Sequence, residues 1–237
     1  TEGSRVYKGQ FGPDIFTDFI IRFMKDHKNE PMLIYYPMVL THGPLVPTPH
    51  EPDVTASIDK HKAMVRYTDY LAGRLVSALD SLGIRDNTYL FFTTDNGTAG
   101  NIIGYRNGMP VRGGKTYLTE NGVNEPFIIN APAYVKGGGN VKALIDFTDV
   151  FPTLADLAGV EMPSDNEIDG RSFGGILDGS NAGQKEWILT MGSHSGTLGE
   201  DGMIKNWYDF RDRAIRDNRY KIYVDTLRQI NRLFDMK

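Results

Sequence analysis

Apolar residues recur along this chain in two rhythms. Between Pro13 and Asp26, Ile15, Phe19, Ile20 and Phe23 fall at helical spacing. A longer helical pattern runs from Val54 to Leu82, with Ile58, Val65, Leu71, Leu75, Leu79 and Leu82 assigned to one face and Gly83 as its stop. Between them lies Met32-Leu33-Ile34-Tyr35-Tyr36, an apolar run bounded by prolines and too short for a helix, which predicts a buried strand. Residues 43–52 hold Pro44, Pro47, Pro49 and Pro52 and read as loop. The β-branched and aromatic run from Thr88 to Thr93 predicts a strand that leads into Asp95-Asn96-Gly97. Residues 97–114 are rich in glycine and asparagine and read as loop. Pro126 to Asn130 predicts a second short buried strand, and Phe147 to Ala158 a helix closed by Gly159.

Polar breaks at 163–169 and 179–184 precede a change of character. Trp187–Met191, Arg213–Arg216, Tyr220–Asp225 and Arg232–Asp235 read as short strands, with a turn at Asp217-Asn218. The expected fold is therefore α/β: a mostly parallel sheet flanked by helices over residues 1–180, and a small antiparallel-sheet subdomain over 185–237. The strand–helix–strand order of the first part implies a parallel, right-handed crossover. Ligands of such sheets bind beyond the carboxyl ends of the strands. Thr41-His42 and Asp95-Asn96 fall at two such ends and are the first places to look for chemistry. There is no internal repeat and no low-complexity tract.

Composition narrows the classes. The chain has 237 residues, 40% hydrophobic and 24% charged, with 26 basic against 30 acidic residues and a net charge of −4. That mild acidity carries no nucleic-acid footprint. No apolar run reaches the roughly 20 residues of a membrane span. The absence of cysteine excludes disulfides, thiolate metal sites and a cysteine nucleophile within these residues.

Four side chains carry the sharpest hints. Asp95 and Asn96 are adjacent oxygen donors that suit a hard cation such as Ca²⁺ or Mg²⁺, and Gly97 lets the backbone turn behind them. The plain alternative is a post-strand turn. In Arg112-Gly113-Gly114-Lys115-Thr116, two glycines allow backbone and ammonium to converge on an anion; the alternative is a solvated loop lysine. His42, before Gly43-Pro44, suits a general acid or anion donor, or a structural role. His194 sits in Gly192-Ser193-His194-Ser195-Gly196 with no assignable base or orienting partner, which speaks against a serine triad. Nucleophile-elbow and zinc-protease motifs are absent.

Taken in order, these segments resemble the sulfatase family of the alkaline-phosphatase-like superfamily. Tyr35 to Pro44 looks like the segment carrying a sulfate-contacting histidine, and Phe92 to Gly97 resembles the metal-binding Asp-Asn-Gly. Arg112 to Thr116, and then Asn121 to Pro126, resemble the Gly-Lys segment and its sequel. Asp149 to Gly159 looks like the helix after the core, Asp169-Gly170-Arg171-Ser172 like the stretch after that helix, and Arg213 to Lys221 like the small C-terminal sheet. The resemblance implies sulfate-ester hydrolysis by a formylglycine nucleophile with Ca²⁺ or Mg²⁺. In that scheme Asp95 and Asn96 are metal ligands, Lys115 holds a sulfate oxygen, and His42 contacts the sulfate and helps protonate the leaving alcohol. Arg106, Asn107, Arg112 and His194 lie in loops expected to line a pocket for a sulfated small molecule or saccharide.

The family pattern also includes a pair of consecutive aspartates and a nucleophile in Cys/Ser-x-Pro-x-Arg, and neither occurs here. The chain is thus expected to correspond to the C-terminal portion of a sulfatase, inactive alone, with the nucleophile upstream. Two rival readings remain: a phosphodiesterase or phosphonate-hydrolase branch of the superfamily, and a non-catalytic sugar-binding module. Export to the periplasm or exterior is expected by family analogy, and oligomeric state is not encoded legibly.

Overall fold

The computed structural model describes residues 5–135, 139–165, 167–180, 185–192, 197–205 and 210–237. The chain divides into two compact units, residues 1–89 and 90–237.

The first unit is built on two helices, α1 (Gly12–Asp26) and α2 (Ser57–Leu82), which pack on each other. Pro13 sits in the first turn of α1, where its missing N–H costs nothing. Gly83 ends α2 in the left-handed region at φ 69°, as its position predicts. The buried faces are Pro13, Thr17, Ile20 and Met24 on α1, and Ala63, Met64, Tyr67, Leu71 and Leu79 on α2. Val65, expected inside, is 49% exposed. It lies six residues from Leu71, a rotation that carries it well off the buried stripe at about 100° per residue. A polar seam joins the helices: the Tyr67 hydroxyl donates to Asp14 at 2.8 Å, and Arg74 pairs with Asp18 at 2.5 Å.

The second unit carries all the named strands. β1 (Leu90–Thr93) is followed by a hairpin, β2 (Ile103–Arg106) and β3 (Met109–Arg112). A short helix, α3 (Glu120–Val123), then leads into β4 (Phe127–Asn130). A 3₁₀ turn at Phe147–Asp149 runs into α4 (Val150–Leu157), and α5 (Gly174–Leu177) is a single turn. The rest is β5 (Ile188–Met191), β6 (Thr197–Leu198), β7 (Ile204–Lys205), β8 (Arg213–Arg216), β9 (Tyr220–Val224) and β10 (Ile230–Asp235).

The small C-terminal antiparallel sheet expected from the sequence is present, in the order β10-β9-β8-β5. The crossover is not. Every strand pair among the described residues is antiparallel, and β1 pairs with β4 rather than with a strand from residues 32–36. Residues 31–39 carry no strand, and Leu33 and Tyr35 are 78% and 87% exposed. An apolar run becomes a strand only where a neighbour completes its ladder and covers its faces. The described residues supply none for this segment.

Two packing groups hold the second unit. Phe91, Phe127 and Phe173 form an aromatic cluster beneath β1 and β4, with Phe173 only 2% exposed. Burying such a ring contributes about 3 kcal/mol. The Phe173 amide donates to the buried Thr153 hydroxyl of α4, and the Arg171 amide to Asp149. Asp169-Gly170-Arg171-Ser172 is thereby laid against the start of α4. The Asp146 carboxylate caps the 3₁₀ turn that precedes α4 and, with Asp149, pairs with the Lys185 ammonium at 2.8 Å. Among the described residues no helix is long and apolar enough to cross a membrane.

Candidate functional site

Three segments singled out in the sequence meet within the second unit, joined backbone to backbone. The Gly97 amide donates to the Gly122 carbonyl at 3.0 Å, and the Lys115 amide to the Thr98 carbonyl at 3.0 Å. The Gly113 amide donates to Ile102, and the Asn121 side-chain amide to the Arg112 carbonyl at 2.5 Å. Asp95-Asn96-Gly97, Gly113-Gly114-Lys115 and Asn121-Gly122 thus form one knot. Glycine is required by contact rather than by dihedral angle. A Cβ on Gly97 would lie 2.1 Å from the Asn121 carbonyl oxygen, and one on Gly114 2.7 Å from the same atom. Thr116, directly after Lys115, adopts φ 78°, a costly conformation for a β-branched residue, and the knot on both sides holds it there.

The knot aims short polar side chains outward. Asp95 is exposed and accepts from the Asn96 amide at 2.8 Å, which leaves the Asn96 oxygen as an acceptor. Lys115 is half-buried, and its ammonium has no hydrogen bond or ion pair with the described residues. Beside Asp95 lies a carboxylate that the motif reading passed over. Glu125 accepts from the Thr94 hydroxyl at 2.7 Å. Burial pushes its pKa up and the Asp95 charge adds to this, against the opposing Thr94 bond. The antiparallel register Thr93↔Phe127 brings 94–95 alongside 125. A parallel reading of the sheet hides that neighbourhood.

Asp95 and Asn96 are hard oxygen donors and fit Ca²⁺ or Mg²⁺ chemically, as part of a larger ligand set. Among the described residues no group of three or more His, Asp and Glu is arranged to hold a metal.

Arg106 and Asn107 fall at the tip of the exposed β2–β3 hairpin, not in an irregular loop. Asn107 at φ 52° and Gly108 at φ 77° make the two-residue turn that suits the strand twist. Asn-Gly is a strong hairpin signal, and it was available in the sequence. Arg112, at the hairpin's base, donates through Nε to the Gly100 carbonyl at 2.5 Å. His42 belongs to the first unit; it is exposed, and its Nδ1 lies 2.8 Å from the Gly43 carbonyl. A carbonyl only accepts, so Nδ1 bears the proton and Nε2 faces away from this bond. His194 lies outside the described residues.

The family model described as Sulfatase matches residues 9–160. This chain belongs to the sulfatase family. A second model, described as N-sulphoglucosamine sulphohydrolase, C-terminal, matches residues 114–237. An N-acetylgalactosamine-6-O-sulfatase of Bacteroides thetaiotaomicron is 32% identical over 199 residues, covering 78% of this chain and 38% of that protein. A structure solved in work on glycosaminoglycan metabolism by the same organism superposes with a TM-score of 0.74 at 26% identity, covering 98% of this chain and 49% of that one. A phosphonate monoester hydrolase from Silicibacter pomeroyi gives a TM-score of 0.57 at 25% identity, over 78% of this chain and 37% of that one. The sulfatase chain therefore spans half or less of the length of each of these relatives, from the C-terminal portion that the sequence motifs indicated. The expected α/β, alkaline-phosphatase-like fold is borne out by these structural relatives.

Proposed function

We propose that the whole protein is a metal-dependent sulfatase acting on a sulfated saccharide. The observation that carries this is the knot that sets Lys115 and Asp95-Asn96 on one scaffold of interlocked glycines. The saccharide class is supported by the N-acetylgalactosamine-6-O-sulfatase relative. Lys115 offers an ammonium that is unpaired among the described residues to a sulfate oxygen and neutralises charge that grows as the S–O bond breaks. Asp95 and Asn96 would hold part of a Ca²⁺ or Mg²⁺ site, and the bound ion would supply Lewis-acid polarisation of sulfate. On the family resemblance, His42 would help protonate the leaving alcohol. The formylglycine expected of the family is made from cysteine or serine within Cys/Ser-x-Pro-x-Arg; that pattern does not occur in this chain, so turnover would draw on a nucleophile from elsewhere in the whole protein.

The phosphonate monoester hydrolase likeness supports a second reading, phosphoryl-ester hydrolysis at the same anion site. The two are separated by measuring kcat/KM of the full-length protein on an aryl sulfate and on an aryl phosphonate monoester. A higher value on the sulfate supports the sulfatase reading, and a higher value on the phosphonate overturns it. No turnover of either favours a binding module.

A further inference from the structure

The C-terminal sheet grips the candidate site through one carboxylate. Glu120, the first residue of α3, receives the Lys221 ammonium on Oε1 at 2.8 Å and the Arg216 guanidinium on Oε2 at 2.7 Å. The two cations are direct cross-strand partners in the β8–β9 register, Arg216↔Lys221. Such a pair repels itself unless an anion lies between its members. Lys221 is 1% exposed, too buried to be a solvated surface charge. Two residues along the same strands, the partners Ala214 and Tyr223 form a buried apolar cluster with Leu118. Leu118 and Glu120, two residues apart, therefore dock on two successive cross-strand pairs of one sheet face.

Directly after Glu120 the chain enters the knot. The Asn121 carbonyl leaves no room for a Cβ on Gly97 or Gly114, and the Gly122 carbonyl receives the Gly97 amide. A shift of α3 must move the backbone that carries Asp95, Asn96 and Lys115. We propose that Arg216 and Lys221 are positioning residues: by clamping Glu120 they set the placement of the Lys115 and Asp95-Asn96 loops for sulfate. This rests on the sulfate-contacting role of Lys115 given above. It assigns the small sheet a part in the reaction without any contact to substrate.

The test uses the full-length enzyme with Arg216→Gln, Arg216→Lys and Lys221→Met, each checked for an intact thermal transition. Arg216 is the partly exposed cation of the pair, so its variants keep the measurement usable if Lys221→Met fails to fold. The expected result is a drop in kcat of about tenfold for Arg216→Gln with KM within about twofold, since loop misplacement acts on orientation. Hydrogen exchange at the Gly97 and Lys115 amides should rise about tenfold. Arg216→Lys, which keeps the charge, should restore both. Unchanged exchange at Gly97 and Lys115 in a folded Arg216→Gln or Lys221→Met overturns the clamp. So does an unchanged kcat in an enzyme that Lys115→Ala slows. If Lys115→Ala itself leaves kcat unchanged, the sulfate role of Lys115 falls, and exchange alone decides whether the clamp holds.

Discussion

Residues 94–125 and residues 31–44 both carry candidate chemistry, and they are held in opposite ways. The first segment supports itself. Its loops are cross-bonded by their own amides, packed glycine against carbonyl, and anchored to the C-terminal sheet through Leu118 and Glu120. The second is extended, with Met38 to Tyr36 and His42 to Val39 as its internal backbone bonds; Leu33, Ile34, Tyr35 and Val39 stand open to solvent, while Tyr36 is half-buried and its hydroxyl reaches Thr17 and the Pro13 carbonyl of α1. A motif can thus bring its own scaffold when glycines let backbone meet backbone. A motif that ends a strand depends on the strand's neighbours.

Changes to the two segments should therefore have very unequal effects. Gly97→Ala places a methyl inside van der Waals contact of the Asn121 carbonyl and should cost about 3 kcal/mol, read from chemical denaturation. A loss under about 0.5 kcal/mol would mean that the knot is looser than its contacts imply. Lys115→Ala should leave stability nearly unchanged and lower kcat/KM of the full-length enzyme about 100-fold on an aryl sulfate. A near-wild-type rate would remove the ammonium from the chemistry.

Glu120→Gln separates charge from shape. Burial pushes the Glu120 carboxyl up, but the Lys221 bond, with Arg216 and Asn124, more than offsets this and holds it below its ordinary value. A depressed folded-state pKa means that the contribution is fully present above the unfolded value, about 4.3, and is lost as pH falls through the folded one. Wild type should therefore lose stability on acidification below about pH 4 more steeply than Glu120→Gln, with the variant about 1–2 kcal/mol weaker near neutrality. Parallel acid-unfolding curves would show that Lys221 is satisfied some other way. The smallest effect is expected from Tyr35→Ser in the open segment, within about 0.5 kcal/mol for this chain. A larger loss would reveal that the Tyr35 ring is packed after all.

Much of the fold was legible because local signals agreed. The Gly83 and Gly159 stops, the break into short C-terminal strands and the turn at Asp217-Asn218 are where spacing and turn chemistry put them. The β2–β3 hairpin was legible too, in Asn107-Gly108, but the glycine-rich composition around it masked the signal. Glu125 was not legible as a neighbour of Asp95. Its place follows from an antiparallel register between strands separated by more than thirty residues in the chain.

Residue type and spacing alone set the chemistry on offer: two hard oxygen donors, a lysine behind paired glycines, a histidine at a rigid turn, and the order that marks a sulfatase. A linear text preserves such properties in full. Tertiary packing was needed to make Asn121 the common stop for Gly97 and Gly114, to bring Lys221 and Arg216 to one carboxylate, and to run β1 against β4. Each of these is a pairing of groups distant in the chain, chosen by which contacts can be satisfied together, and no local pattern records that choice.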